Sequence, residues 1–263
     1  MARNGHPRSS ELRWRLILDG AADGPRNMAL DHALALALPP GEGVVRIYGW
    51  HPPTISFGRN EPARGRYDPA AARRAGISFV RRPTGGRAVL HDAEVTYAVV
   101  APVRAFGSLR AAYRTINRGL IAGLRSLGAP VAEALEGPSL PPDAGPCFRA
   151  PAPGEVTAAG RKLVGSAQAR IGTHLLQHGS LILRGDQSRL ARLAGAVEDD
   201  EQPAALEALI GAVPLERVID GVAQGLRLAL GGPWTEAGYH TAETQAAGRL
   251  CEKYRSDAWT WRL

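Results

Sequence analysis

Short apolar runs with strand-like alternation, each bounded by Gly, Pro or charged turn residues, recur between Trp14 and Leu183, and beyond them the chain turns helical. That order of elements leaves few architectures open. It predicts an α+β fold with a mixed, largely antiparallel sheet flanked by helices. Trp14 to Leu18, Val44 to Tyr48, Thr54 to Phe57, Ile77 to Val80 and Val95 to Val100 supply the first strands. Glu155 to Arg170 and His174 to Leu183 read as a strand pair turned at Ile171-Gly172. The clearest helix covers Ser108 to Leu127, where Leu109, Tyr113, Ile116, Leu120 and Leu124 recur at three- and four-residue spacing. Gly128 and Pro130 end it. Other helices are expected from Pro25 to Leu38, Asp68 to Arg74, Gln187 to Leu193, Ala204 to Ile210, Leu215 to Leu230 and Thr241 to Tyr254.

No linker divides the 263 residues, so residues 12–263 are expected to form one domain behind a polar, flexible tail, residues 1–11. No apolar run reaches the roughly 18 residues of a membrane span. The longest candidate, Ile116 to Leu127, is broken by Asn117, Arg118, Arg125 and Ser126. The first residues carry Arg3, Pro7 and Arg8 without an apolar stretch, unlike a secretory signal. Two cysteines, Cys147 and Cys251, make no disulfide framework, and a cytoplasmic setting is expected. Lys and Arg number 32 against 25 Asp and Glu, a formal net charge of +7 that suits an acidic partner. The basic residues are scattered, with no basic run and no aromatic interleaving, so that partner is expected to be a protein and not a nucleic acid. The seven histidines and two cysteines lack zinc-ligand spacing, and no metal or other cofactor is expected.

Three stretches concentrate chemistry. Arg81-Arg82-Pro83-Thr84-Gly85-Gly86-Arg87-Ala88-Val89-Leu90-His91-Asp92 runs from a buried strand into paired glycines. Backbone N–H groups at such a pair can approach a ligand carbonyl or anion. A tight turn between strands explains the same glycines. His91 and Asp92 are neighbours on a strand and point to opposite faces, so a catalytic His–Asp pair is not expected. Cys147 lies in the second stretch, a Pro-, Gly- and Ala-rich loop from Glu136 to Pro153 whose length suggests function. Taken singly, a cysteine also reads as a small buried hydrophobe, which suits Cys251 in its helix beside Leu250. In the third stretch, Gly160 to Gln168, alternation puts Lys162, Val164, Ser166 and Gln168 on one strand face. Lys162 there either borders a pocket or projects into solvent. Gly160, Gly165 and Gly179, the last within Leu176-Gln177-His178-Gly179-Ser180, leave room for a ligand chain or a close backbone approach.

The strings RRPTGGRAVLHDAEVTYAVV, CFRAPAPGEVTAAGRKLVGSAQ and LLQHGSLIL resemble the lipoate/octanoate transfer family, whose fold is shared with biotin protein ligases. NMALDHAL and RIYGWHPPTISFGRN resemble its N-terminal blocks, so the match runs from Asn27 to Leu183. Within the family the pattern is most similar to the cysteine-dependent octanoyltransferases. Cys147 stands fifteen residues ahead of Lys162, and Arg87 occupies the place of a third glycine usual in ATP-dependent lipoate–protein ligases. One departure is His32, where the family block usually carries an acidic residue, and only a local effect is expected from it.

The resemblance implies a biotin/lipoate protein ligase-like catalytic domain that transfers octanoate without ATP or metal. Its donor would be octanoyl acyl carrier protein, and its acceptor a lysine of a lipoyl-domain protein such as glycine cleavage H protein. Cys147 would form the acyl thioester, while Lys162 would lower the thiol pKa and assist the acceptor lysine. Substrate-binding residues would be Arg81, Thr84, Gly85, Gly86, His91, Gly165, Ser166, Ala167, Gln168, His178 and Gly179. Three other readings stay open: an ATP-dependent lipoate–protein ligase with a separate accessory subunit, an enzyme moving octanoate between lipoyl-domain proteins, and a binder without turnover.

Overall fold

The computed structural model describes residues 8–135, 152–185, 187–194 and 203–263. Its strands are β1 (Arg13–Ala22), β2 (Glu42–Trp50), β3 (Thr54–Phe57), β4 (Ser78–Arg81), β5 (Val89–His91), β6 (Glu94–Pro102), β7 (Val131–Glu133), β8 (Val156–Ala158), β9 (Arg161–Ile171), β10 (His174–Ile182) and β11 (Trp234–Glu236). The helices are α1 (Gly24–Ala37), α2 (Pro69–Arg74), α3 (Leu109–Ser126), α4 (Ser188–Leu193), α5 (Leu206–Ile210), α6 (Leu215–Leu230), α7 (Thr241–Arg255) and α8 (Asp257–Thr260). Of the expected tail, residues 1–7 lie outside the described residues, and Ser9–Glu11 form one helical turn.

Eight strands form a sheet in the order β11-β1-β2-β6-β10-β9-β8-β7, and β4-β3-β5 form a second. Within the large sheet β1 runs parallel to both β11 and β2, and the other pairings are antiparallel. The fold is therefore α+β with a mixed, largely antiparallel sheet, as the order of apolar runs predicts.

Local chemistry sets the helix starts. Asp23 accepts the Arg26 N–H ahead of α1, Asp68 accepts the N–H groups of Ala70 and Ala71 ahead of α2, and Ser108 accepts that of Ala111 ahead of α3. Pro25 and Pro69 sit in first turns, where a missing N–H costs nothing.

Period-two alternation gives the large sheet two distinct faces. Trp14, Leu16, Val45, Ile47, Val95, Tyr97, Val99 and Leu175 share one hydrophobic cluster with Ile116, Leu120 and Leu124 of α3 and Val222 and Leu226 of α6. Each large apolar side chain buried there contributes about 1.5–3 kcal/mol. Helices α3 and α6 cross at glycines: a Cβ at Gly123 would stand 2.2 Å from the Gly221 carbonyl oxygen, and one at Gly225 would stand 2.1 Å from that of Gly119. On the other face Ile17, Val44, Tyr48, Ala98, Val100 and Leu176 meet Met28, Ala29 and Leu34 of α1. The small sheet packs Ile55, Phe57 and Leu90 into a separate cluster with Ala72 of α2 and Leu190 of α4.

Two departures from the sequence reading have simple causes. Strands β5, β7 and β11 are three residues each, too short for alternation to register. The expected single strand from Glu155 to Arg170 is a hairpin instead, β8 and β9, turned at Ala159 (φ 49°) and Gly160 (φ 77°). Two left-handed residues in succession are the signature of a tight hairpin turn, and only one of them is a glycine. The shift brings Glu155 beside Lys162.

Candidate functional site

Between the cleft-facing side of the small sheet and the α1 side of the large one lies a cleft whose space, open to solvent at its mouth, comes to about 420 Å³. Ser56, Val89 and His91 come from the small sheet; Tyr48, Trp50, Thr96, His178 and Ser180 come from the large one. Met28 of α1 and a rim of Gly86, Gly165, Ser166, Ala167 and Gly179 complete the walls with Arg82. Backbone and apolar groups dominate the surface, and the polar side chains are held from behind.

His178 is the best-defined of these. Its Nδ1 lies 2.8 Å from Asp31 Oδ2 and its Nε2 lies 2.6 Å from Thr84 Oγ1. A carboxylate only accepts, so Nδ1 carries the proton, and Nε2 accepts from the Thr84 hydroxyl. Burial pushes the His178 pKa down despite Asp31, and the ring is neutral. Asp31 is fully buried, which opposes its charge. The His178 hydrogen bond and the Arg46 guanidinium outweigh that and hold its pKa below the usual carboxylate value. Arg46 Nη1 donates to Asp31 Oδ1 at 2.8 Å, its Nε to Asp19 at 2.7 Å and its Nη2 to Asn27 Oδ1 at 2.8 Å. The Tyr48 hydroxyl donates to Asp31 Oδ2 at 2.8 Å.

His91 anchors a second chain of hydrogen bonds. Arg82 Nη1 donates to Ser56 Oγ at 3.0 Å, and Ser56 Oγ lies 2.7 Å from His91 Nε2. His91 Nδ1 lies 2.8 Å from Glu94 Oε1, which also accepts from the Ser180 hydroxyl at 2.9 Å and from Thr96. The indole of Trp50 stacks on the His91 ring, with centroids 3.9 Å apart and planes 10° apart, and donates to Thr96 Oγ1 at 2.7 Å. Both nitrogens of both imidazoles are therefore occupied. Neither His178 nor His91 can take a proton from a substrate without breaking an existing bond.

The paired-glycine loop is clamped by charge. Arg82 donates to the carbonyls of Gly85 (2.8 Å), Arg87 (2.8 Å) and Ser56 (2.8 Å). Glu61 accepts the N–H groups of Gly58 (2.9 Å) and Ala88 (3.0 Å). Burial raises the Glu61 pKa, while Arg82 and these N–H groups pull it down. A Cβ at Gly58 would stand 1.8 Å from the Gly86 oxygen, so only glycine fits.

Lys162 of β9 is 2% exposed and is not a solvated strand lysine. Its Nζ lies 2.6 Å from Glu155 Oε1, and Glu155 Oε2 accepts the Ala152 N–H at 2.8 Å. The alternation read from sequence puts Lys162 on one face with Val164, Ser166 and Gln168. A bulge at Leu163 instead pairs Lys162 with Thr157 and Val164 with Val156, which face opposite ways. On the Val164 side, Ser166 Oγ meets the Tyr97 hydroxyl at 2.7 Å, and Gln168 Nε2 donates to Gln177 Oε1 at 2.7 Å.

Of the residues predicted from sequence, Gly86, His91, Gly165, Ser166, Ala167, His178 and Gly179 come together in the cleft wall. Thr84 stands behind it on His178. Gly85 does not line the cleft, and its carbonyl is taken by Arg82. Arg81 lies away from it: strand alternation turns its side chain toward the carbonyls of Gly58, Glu61 and Thr260 at 2.6, 2.7 and 2.9 Å. Burial pulls its guanidinium down to about 10. Gln168 lines a different cleft, beside α3. Lys162 does not line the cavity, and Cys147 lies outside the described residues. Cys251 of α7 is free and half-buried against the α1-side cluster.

Arg82, Trp50, Met28, Tyr48, Ser56, Thr96 and Ser180 were not predicted individually. Trp50 and Ser56 do fall within the string RIYGWHPPTISFGRN, and Arg82 adjoins Arg81, so the blocks held the signal but not which members face inward. His32, the departure on α1, is half-buried with Nδ1 2.8 Å from the Tyr254 hydroxyl, and burial lowers its pKa to about 4. Among the described residues no group of three His, Cys, Asp or Glu is arranged to hold a metal ion. No helix among them is long and apolar enough to cross a membrane.

Comparison with known proteins adds kinship to this geometry. Residues 23–215 match the lipoyl protein ligase A/B catalytic domain. Octanoyltransferase LipM of Kyrpidia tusciae is 39% identical over 271 residues, spanning 95% of this chain and 98% of that protein. A lipoate protein ligase of Thermoplasma acidophilum, solved with bound lipoic acid, aligns with a TM-score of 0.79 at 22% identity, over 96% of this chain and 100% of that one. A bipartite lipoate protein ligase of the same organism, studied with its E2 lipoyl domain, aligns with a TM-score of 0.78 at 21% identity, over 95% and 96% of the two chains. The last two likenesses carry the fold alone.

Proposed function

The chain belongs to the lipoyl protein ligase A/B catalytic domain family, and from that premise we propose that it moves an octanoyl group from acyl carrier protein, through Cys147, to a lysine of a lipoyl-domain protein. Acyl transfer in lipoate biosynthesis follows from full-length kinship with an octanoyltransferase. One observation carries the covalent step: Lys162 is buried with its Nζ 2.6 Å from Glu155 Oε1, so an ammonium is held in place beside the point where the stretch carrying Cys147 rejoins the described chain. This reading gives the cleft wall the work of binding and orienting the acyl group.

Cys147, which stands fifteen residues ahead of the buried Lys162, supplies the attacking atom in this reading. Its stretch rejoins the described structure at Ala152, whose N–H is held by Glu155, the partner of Lys162. The thiolate attacks the thioester carbonyl, the bond to the carrier's thiol breaks, and that thiol leaves with a proton. The acceptor lysine, as a neutral amine, then attacks the new thioester; an amide C–N bond forms, the C–S bond breaks, and the proton shed by the nitrogen leaves on Cys147 as thiol. Lys162 favours the thiolate electrostatically. Glu155 offsets part of that charge and fixes where the ammonium points, which suits a group that must act first beside an anion and then beside an amine. The apolar wall of Met28, Val89 and Trp50 takes the alkyl chain. Thioester to amide is downhill, so the reaction draws on neither ATP nor metal. A free thiol nucleophile fits a reducing, cytoplasmic setting, and glycine cleavage H protein is a natural acceptor to try.

Intact mass after mixing the protein with octanoyl carrier protein, without ATP or acceptor, tests the reading. The expected result is a gain of one octanoyl group, removed by hydroxylamine and absent in Cys147→Ala. No gain, with ATP-dependent use of free lipoate that survives Cys147→Ala, would show a ligase instead. Acylation from an octanoylated lipoyl-domain protein alone would replace the carrier protein as donor.

A further inference from the structure

We propose that an arginine stripe on α3 is the landing surface for the acidic carrier protein that delivers the octanoyl thioester, an inference that rests on the transferase reading above. Arg110, Arg114 and Arg118 are exposed and follow one another at four-residue spacing, so they share one helix face. Helix α3 holds four arginines and no Asp or Glu, whereas α6 and α7 carry both signs. None of the three has a carboxylate partner among the described residues. Like charges at this spacing repel one another, so the stripe lowers helix stability unless an anionic surface meets it.

Its position ties it to the proposed reaction. The three arginines form one wall of an open cleft whose other wall includes Glu133, Leu135, Pro153 and Gly154. From Leu135 the chain leaves for the stretch that contains Cys147, and it returns at Ala152. Gln168 also lines this cleft. Through Gln177 (2.7 Å), then Tyr97 (2.8 Å), then Ser166 (2.7 Å), it is hydrogen-bonded in line to the wall of the acyl cavity. A partner seated on α3 thus sits beside the end of the sheet at which the described chain breaks off after Leu135 and resumes at Ala152. A strongly acidic, compact protein is the occupant that the single sign of this face selects, and attraction of this kind acts mainly on the rate of encounter.

The experiment compares two donors, octanoyl carrier protein and octanoyl-pantetheine, in acylation of the enzyme followed by intact mass at low and at 0.3 M salt. With R110E/R114E/R118E, the second-order rate from the carrier protein should fall by about tenfold or more at low salt and lose most of its salt dependence. The rate from octanoyl-pantetheine, which has no protein surface to dock, should stay unchanged. The milder R110Q/R114Q/R118Q should fall between. Equal carrier-protein rates in variant and wild type would overturn the docking assignment alone, as would equal losses with both donors. A loss confined to discharge of purified octanoyl-enzyme onto a lipoyl-domain protein would also overturn it, by giving the stripe to the acceptor. Wild-type protein that captures octanoate from neither donor would instead overturn the transferase reading on which the proposal rests.

Discussion

The two faces of the large sheet bury their side chains on different terms. Toward α3 and α6 the strands present Leu16, Val45, Ile47, Val99 and Leu175, and the helices close over them at glycine crossings. Toward α1 the same strands β2, β6 and β10 bury Arg46, Thr96, His178 and Ser180. Desolvating a charge such as Arg46 costs several kcal/mol, and its attraction to Asp31 and Asp19 returns that only because geometry and extra hydrogen bonds are in place. The apolar face therefore supplies net stability, and the polar face holds a cavity wall in one arrangement. A binding surface made of neutral, pre-oriented groups needs such support from behind.

That division can be broken by substitution. Asp31→Asn should have the largest effect, a loss of about 3 kcal/mol or more, because Arg46 then keeps a buried charge without its fully buried partner. Urea denaturation measures it; a loss under about 1 kcal/mol would mean that packing, not charge pairing, holds the α1 face. Gly225→Ala should cost about 1–3 kcal/mol by forcing α6 off the Gly119 carbonyl. Its thermal midpoint should fall by several degrees, while the octanoyl capture rate per folded molecule stays that of the wild type. A capture rate reduced as much as the stability would show that the two faces are not independent.

The smallest effect is one of pH. His178 and His32 both have pKa values held below 6.5 by burial, the latter at about 4, so each is neutral when folded and takes up a proton on unfolding once the pH drops below about 6.5. They cost no stability above pH 6.5, and the cost grows as pH falls from 6.5 toward 4. Asp31, also held low, adds to the loss only below its ordinary 3.8. Thermal midpoints should be flat from pH 7 to 8 and decline between 6.5 and 4. His32→Gln should flatten part of that slope, since its ring lies at the α1–α7 contact and not in the cavity wall. An unchanged slope would place the titration on the cavity side alone.

Much of the fold was legible in the chain itself. The spacing of Leu109 to Leu124 marks α3 to within a residue at each end, and Ser108 and Asp68 name their own caps. The blocks from Asn27 to Leu183 identify the family, and alternation correctly groups Val164, Ser166 and Gln168, but a bulge at Leu163 turns Lys162 to the opposite face. What was not legible was direction at a distance. Arg81 and Arg82 are indistinguishable in sequence, yet one bonds the loop carbonyls behind the sheet and the other clamps the glycines of the cleft. Glu155 carried no signal, because nothing local shows that Ala159-Gly160 folds β8 back onto β9.

The sequence by itself determined the elements that depend on near neighbours: helix periodicity, caps, glycine turns and, away from bulges such as the one beside Lys162, the alternation that assigns a strand residue to a face. Tertiary structure alone decided which faces meet. His178 reaches Asp31 across 147 positions and Thr84 across 94, and Arg15 reaches Glu243 across 228. Such pairs exist only after strands far apart in the chain have been ordered side by side, since burial supplies the low dielectric that makes them both costly and strong.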